Sequence, residues 1–321
     1  MRKLFVSGLV AVAFGAAVLS SCQYKDLDDE MWSKRTELRI IFDWNNVDSI
    51  PERMRVAFYP LYEANRGYTF YDVYNRDTIV SIGAGTYAIV AWNKDTEHVR
   101  TDGYNSHQTV FATTLPYSTH GNYTIPSVLD SIFPGQRTLD YPDYMVHHFL
   151  SDYIVSTENE FQVVNIRPDS MVVTVDIHIG GVAGLELCRN IRGIIGNISG
   201  KRYVAPANLT EESVNVAYEA GWNQQDSTVN AHFWIFGKEP TGFPDTSHKM
   251  VIFFWLKGGN VYVPVDVTRT FAKYTPEDKR IRIEIPDLEL DLHEYVYNDT
   301  IQGGFNLDVE DWNNASIDLG F

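Results

Sequence analysis

Apolar and polar residues alternate with a period of two along much of the chain. Leu38, Ile40, Phe42 and Trp44 alternate with Arg39, Ile41 and Asp43, and Met54, Val56 and Phe58 with Arg55, Ala57 and Tyr59. Met171, Val173, Val175, Ile177 and Ile179 alternate with Val172, Thr174, Asp176 and His178, and Ile281, Ile283 and Ile285 with Arg282 and Glu284. Such a period predicts strands that bury one face. GTYAIVAWN (85–93) and MVIFFWLKGGNVYVPVDV (250–267) add further strands, and Gly258-Gly259 marks a hairpin turn in the second. Helical patterns are few and short, at IPSVLDSIF (125–133) and AGLELCRNIRGII (183–195). Many short strands between recurring turn residues predict an all-β chain of sandwiches with a few short helices. The polar stretch STENEFQ (156–162) places a division near residue 158, giving one unit over 37–157 and a second over 158–321. There is no tandem repeat and no low-complexity tract.

The first residues follow a different rule. Arg2 and Lys3 precede an uncharged run from Leu4 to Leu19, and Ser20 and Ser21 stand before Cys22. This is the layout of a secretory signal peptide over 1–21. The apolar run is shorter than the roughly 20 residues of a spanning helix. Leu19-Ser20-Ser21-Cys22 also resembles the bacterial lipobox. The resemblance implies that the Cys22 thiol takes a diacylglyceryl group and that cleavage makes Cys22 the new N-terminus, usually acylated again. Two or more acyl chains hold a protein stably on a bilayer, where one does so only marginally. Lys25, Asp26, Asp28, Asp29 and Glu30 then form an acidic tether over 22–36. Short charged runs are solvated, and this one also resembles the lipoprotein export signal of Bacteroidetes. That signal implies the outer leaflet of the outer membrane, exposed at the cell surface.

Charge narrows the partners. Loss of residues 1–21 would leave 300 of the 321 residues and remove two of the 26 basic ones, taking the formal net charge from −16 to −18. So negative a chain is a poor partner for nucleic acid or an anionic lipid surface. Cys188 is the one cysteine besides Cys22. With Cys22 lipidated no internal disulfide can form, and Cys188 reads as a small buried apolar side chain.

Candidate catalytic chemistry is sparse. GNISG (196–200) lacks the spacing of a nucleophile elbow and reads as a tight turn. His147-His148 lacks the helical spacing of a zinc site, and His178 falls on the polar side of a strand. Asp308, Glu310, Asp311 and Asn313 do not follow the EF-hand pattern. No glycine-rich phosphate loop is present. These readings predict no metal, no cofactor and no enzymatic activity. Trp32, Trp44, Trp92, Trp222, Trp234, Trp255 and Trp312 could line a sugar platform but fit core and strand-end packing better.

Several segments in order carry a family resemblance: the lipobox at Cys22, then ELRIIFDW, MRVAFYP, GTYAIVAWN, SMVVTVDIHI, RNIRGIIGNISG and, near the C-terminus, GGFNLDVEDWN. Together they resemble the fimbrillin-type lipoproteins of Bacteroidetes, in a branch distinct from the stalk subunits. The resemblance implies two transthyretin-like β-sandwiches in tandem. It also implies a structural or adhesive role as a minor, anchor or tip subunit of a fimbria, joined to other subunits by strand addition. Stalk subunits of that family lose an N-terminal strand by cleavage after Arg or Lys. Here Lys34 or Arg35 could be such a site, but Leu38–Trp44 reads as an integral strand directly after it. The chain is therefore expected to keep its lipid. The alternative is a glycan-binding surface lipoprotein of a nutrient-uptake system. The same cells O-glycosylate Asp-Ser/Thr followed by an aliphatic residue, Thr, Ala or Met. Six such sequons occur, at Ser49, Thr78, Ser131, Ser170, Ser227 and Thr300, against about one from average residue usage. Asp-Ser and Asp-Thr also begin turns that lead into strands.

Overall fold

The structure, a computed structural model, describes residues 35–62, 67–117, 128–158, 161–210, 212–238, 247–257, 259–274 and 279–295. The leader, Cys22, most of the tether, Thr300 and the C-terminal acidic residues lie outside them. The strands of the first half are β1 (Arg35–Phe42), β2 (Arg53–Pro60), β3 (Thr69–Tyr74), β4 (Thr78–Gly83), β5 (Gly85–Asn93), β6 (Val99–Asp102), β7 (Phe111–Thr114), β8 (Thr138–Asp140), β9 (Val146–Val155), β10 (Phe161–Ile166) and β11 (Asp169–Ser170). Those of the second half are β12 (Val173–Ile179), β13 (Val182–Ala183), β14 (Cys188–Ser199), β15 (Lys201–Tyr203), β16 (Ser213–Asn223), β17 (Thr228–Ile235), β18 (Lys249–Leu256), β19 (Asn260–Asp266), β20 (Arg280–Ile285) and β21 (Leu290–Asp291). Two short helices, α1 (Val128–Ile132) and α2 (Thr268–Lys273), complete the described elements with two 3₁₀ turns.

The first half is layered. A three-stranded sheet, β10-β1-β4, packs on a five-stranded one, β11-β9-β5-β2-β3. Leu38, Ile40, Val80, Ile82, Val164 and Ile166 meet Met54, Val56, Phe58, Ile89 and Val146 between them. The other face of the larger sheet is covered too. Ala57, Tyr59, Ala88, Val90 and Trp92 pack beneath Val110, Ala112, Val204 and Phe236. The strands β2 and β5 are therefore buried on both sides, where alternation predicted one buried face for β2. The small sheet β15-β7-β6 supplies part of this cover.

In the second half, one long strand turns the corner between two layers. The strand β16 pairs with β14 through Ser213–Ala220 and with β17 through Gly221–Asn223. One layer is β19-β18-β14-β16 and the other continues as β17-β12-β20. Between them lie Val175, Ile177, Ile191, Ile195, Val216, Phe233, Ile252, Phe254 and Ile283. The hairpin expected at Gly258-Gly259 is present, with the Leu256 amide donating to Gly259 O at 2.8 Å. The two halves share one plan: β1 pairs in parallel with β10, and β12 in parallel with β20.

No single cut separates the halves. Pairing of β10 with β1 and of β11 with β9 carries the first half to Ser170, past the division expected near 158. In the other direction β8 joins β16, and β15 of the second half pairs with β7 of the first.

Two local expectations are corrected. AGLELCRNIRGII is a 3₁₀ turn followed by β14, not a helix. Ile191, Ile194, Ile195 and Ile198 have helical spacing. Yet they are β-branched and buried; Ile191, Ile195 and Ile198 pack in one core and Ile194 in another, so both faces of β14 are covered, while β16 and β18 fill its edges. GNISG is not a tight turn but the end of the same strand. Asn197 at φ 61° forms a bulge between Ile195 and Ile198. Gly193 has a packing reason: it faces Tyr218 across the strands, and a methyl group there would sit on the Tyr218 ring. That ring stacks on Phe233 at 4.5 Å. Gly193→Ala should cost about 1–3 kcal/mol in urea unfolding through overpacking. Tyr218→Phe should cost nothing or stabilise, since the buried Tyr218 hydroxyl has no hydrogen-bond partner among the described residues. Equal stability of Gly193→Ala and the parent would show that this close approach is not maintained in solution.

Candidate functional site

The N-terminal strand is locked in place. Arg35 pairs with Gly83, and its Nη2 donates to Ser81 O at 2.7 Å. Both edges of β1 are filled, by β10 on one side and β4 on the other. The strand thus begins at the residue after which cleavage was considered, and it forms the middle of its sheet. On the solvent side of this sheet Ile79, Phe161 and Val163 are exposed. Register places Val163, Arg39 and Ile79 in one row, with Arg39 paired to Asp77 at 2.7 Å.

Where the halves meet there is a cavity of about 1040 Å³. The first half contributes His147, Asp169 and Ser170; the second contributes Arg202, Lys238, Tyr274 and Lys279, with the loop Ala207–Thr210 along one side. Arg202 ties this wall together. Its Nη1 donates to Met171 O at 2.7 Å and Phe236 O at 3.3 Å, and its Nε to Ala207 O at 2.8 Å. Lys238 Nζ donates to Phe271 O at 2.9 Å, while Lys279 pairs with Asp169. Burial pushes the His147 imidazole down to about 4, with Arg202 acting in the same direction, so at neutral pH it is uncharged. Ala207 at φ 56° and Lys279 at φ 49° both line this cavity. Left-handed backbone is costly for residues with a Cβ, and such residues cluster at ligand clamps.

The expected glycosylation positions scatter over the surface and are not brought together. Ser49 lies exposed in the loop after β1 and Ser131 exposed on α1. Thr78 is half-exposed at the start of β4, where its hydroxyl donates to Arg76 O. Ser227 is partly exposed in the β16–β17 turn at φ 54°. Ser170 is half-buried in the cavity wall and donates to Val172 O at 2.8 Å. Trp92 is fully buried, and none of the other described tryptophans is exposed, so they form no open sugar platform. His178 is solvent-facing, with Nδ1 2.7 Å from Asn230 Oδ1. Cys188 is only partly buried. Burial raises its thiol to about 11 and keeps it protonated. Of the cavity residues, the sequence singles out His147, only as a metal ligand, and Ser170, only as a glycosylation position; the others come from separate segments between 147 and 279 and share no local pattern.

Residues 21–219 match the family described as a domain of unknown function, DUF5119. The chain belongs to the DUF5119 family. A provisionally named fimbrium anchoring subunit, Fim4B, of Bacteroides ovatus is 29% identical over 108 residues, 33% of this chain and 32% of that protein. The match thus spans about a third of that relative's length. A solved structure of a provisionally assigned Bacteroides ovatus adhesin superposes with TM-score 0.61 at 19% identity, over 83% of this chain and 98% of the other. A second Bacteroides ovatus adhesin structure gives 0.51 at 9% identity, over 78% and 88% of the two chains. These likenesses and the strand-rich architecture bear out the all-β fold that the fimbrillin-type resemblance implies. The DUF5119 match ends at Glu219, inside β16, and so takes in the whole first half, β12–β15 and the cavity wall through Thr210.

Proposed function

We propose that this DUF5119 protein is a cell-surface lipoprotein that anchors or caps a fimbria-like assembly through a retained lipid on Cys22. The observation that carries the reading is the position of Arg35. Cleavage after it would remove nothing of β1 beyond its first residue, so β1 would still fill the space between β10 and β4. An acceptor groove for strand addition needs an open sheet edge, and among the described residues cutting here opens none. The name of the Bacteroides ovatus relative, a fimbrium anchoring subunit, supports the same role. Ser49 and Ser131, both exposed, are the glycan acceptors most open to a transferase. Mass spectrometry of the protein from its native membrane tests the proposal. The expected mature N-terminus is acylated Cys22, on a chain that runs as a monomer in detergent. An N-terminus at Arg35 or Thr36 within a detergent-resistant ladder of oligomers would identify a stalk subunit instead.

A further inference from the structure

We infer that the cavity between the two halves is a binding site for an acidic saccharide, a sugar ring carrying a carboxylate. The inference goes beyond anchoring and does not depend on it. The charge balance comes first. Among the described residues lining the cavity, Arg202, Lys238 and Lys279 stand against the single carboxylate of Asp169, in a chain of formal net charge −16. A concave site with low-dielectric walls focuses such a local excess and attracts anions. The volume, about 1040 Å³, lies at the upper end of the roughly 300–1,000 Å³ typical of small-ligand sites. The same walls carry hydroxyl, amide and aromatic groups, at Tyr203, Asn208, Thr210, Phe236 and Tyr274. Side chains of these kinds suit a ligand with many hydroxyls and an apolar ring face.

The backbone argues against an extended acidic peptide. A peptide strand binds by pairing with unpaired amides and carbonyls, and backbone groups of Tyr203, Asn208, Thr210 and Lys279 along the wall are already paired. The Tyr203 amide donates to Asn208 O at 2.9 Å, Thr210 to Lys201 O at 3.3 Å, and Thr174 to Lys279 O at 2.9 Å. Recognition here falls to side chains, which favours a compact ligand. The two strained residues, Ala207 and Lys279, both line the cavity that such a ligand would occupy.

Titration calorimetry of the full chain with the galacturonic acid trisaccharide tests the inference, with the uncharged galactose trisaccharide, a glutamate tetrapeptide and inorganic sulfate as comparisons. Binding of the acidic trisaccharide alone is expected, weakened by added salt. Arg202 is left intact because its three carbonyl bonds hold the wall. Lys279→Met removes one surface cation, and Asn208→Asp adds a carboxylate on an exposed loop residue. Each should weaken binding about tenfold, the size of one charge-assisted hydrogen bond. Four results would overturn the assignment: no binding of the acidic trisaccharide, equal binding of the neutral one, unchanged affinity in both variants, or tetrapeptide or sulfate competing as well as the sugar.

Discussion

Cys22→Ala should move the protein from the membrane to the soluble fraction and abolish labelling by an alkyne fatty acid. None of the described helices is long and apolar enough to cross a bilayer, and the chain's negative charge opposes docking on anionic lipid. A thioether-linked diacylglyceryl group with an added amide-linked chain anchors stably, whereas its loss leaves only a signal peptide to be removed. Cys188→Ala is the matched control. It deletes the other of the two cysteines, whose thiol is held protonated in a partly buried position, and should leave label and location unchanged. Retained acyl label in Cys22→Ala would disprove the lipobox reading. Label lost in both variants would point instead to a folding defect, which urea unfolding of the soluble protein would reveal.

The strands were legible where one physical rule governed them. Alternation located β1, β12 and β20 because each does bury one set of side chains, as in the Arg280–Ile285 run of exposed and buried residues. It underestimated β2. Ala57 and Tyr59 looked like the solvent side, yet they are covered by residues from Val110 to Phe236. That cover is built from distant segments, and periodicity within one strand carries no trace of it. The misread of 183–195 has a similar origin. Four isoleucines at helical spacing fit either element, and their β-branching, with burial on both faces, decides for the strand. The division near 158 followed a polar stretch, but polar composition marks a loop and not the sheet to which the next strand returns. Thus β10 crosses back to β1 after that loop.

The cavity was less legible still. Its cations are separated by tens of residues, and only the meeting of β11, β15 and the segments after β17 and α2 brings them to one wall. The proposed attachment at Cys22 and the tether, by contrast, rests on contiguous residues that a reading along the chain can find. The cavity has no such contiguous signal.

Acidification from pH 7 to about 4 should destabilise the folded chain steeply, through two histidines, one buried and one half-buried in the cavity wall. His248 is 1% exposed, stacks on Phe271 at 4.3 Å and has Nδ1 3.4 Å from Gly196 O. Burial, with Lys238 acting alongside, pushes it down to about 4; His147 in the cavity wall is pushed to about 4 by burial and Arg202. Both folded values lie below the ordinary 6.5. The unfolded chain therefore binds these protons first, and stability falls as pH drops from about 6.5 towards 4, then levels off. Each imidazole contributes up to about 3 kcal/mol over that window, a large share of the 5–15 kcal/mol of an ordinary domain. His98 works with the opposite sign. Its hydrogen bond to Asp143 raises it above 6.5, so its contribution is full below that pH and declines as pH rises through the folded value. Asp72, held low by its hydrogen bond to Arg55, adds a loss only as pH falls below about 4. Urea midpoints at pH 7, 5.5 and 4.5 measure the window. His248→Gln, which cannot take up a proton, should roughly halve the drop between pH 6.5 and 4.5. An unchanged drop in that variant would mean that carboxylates, and not these imidazoles, set the acid limit.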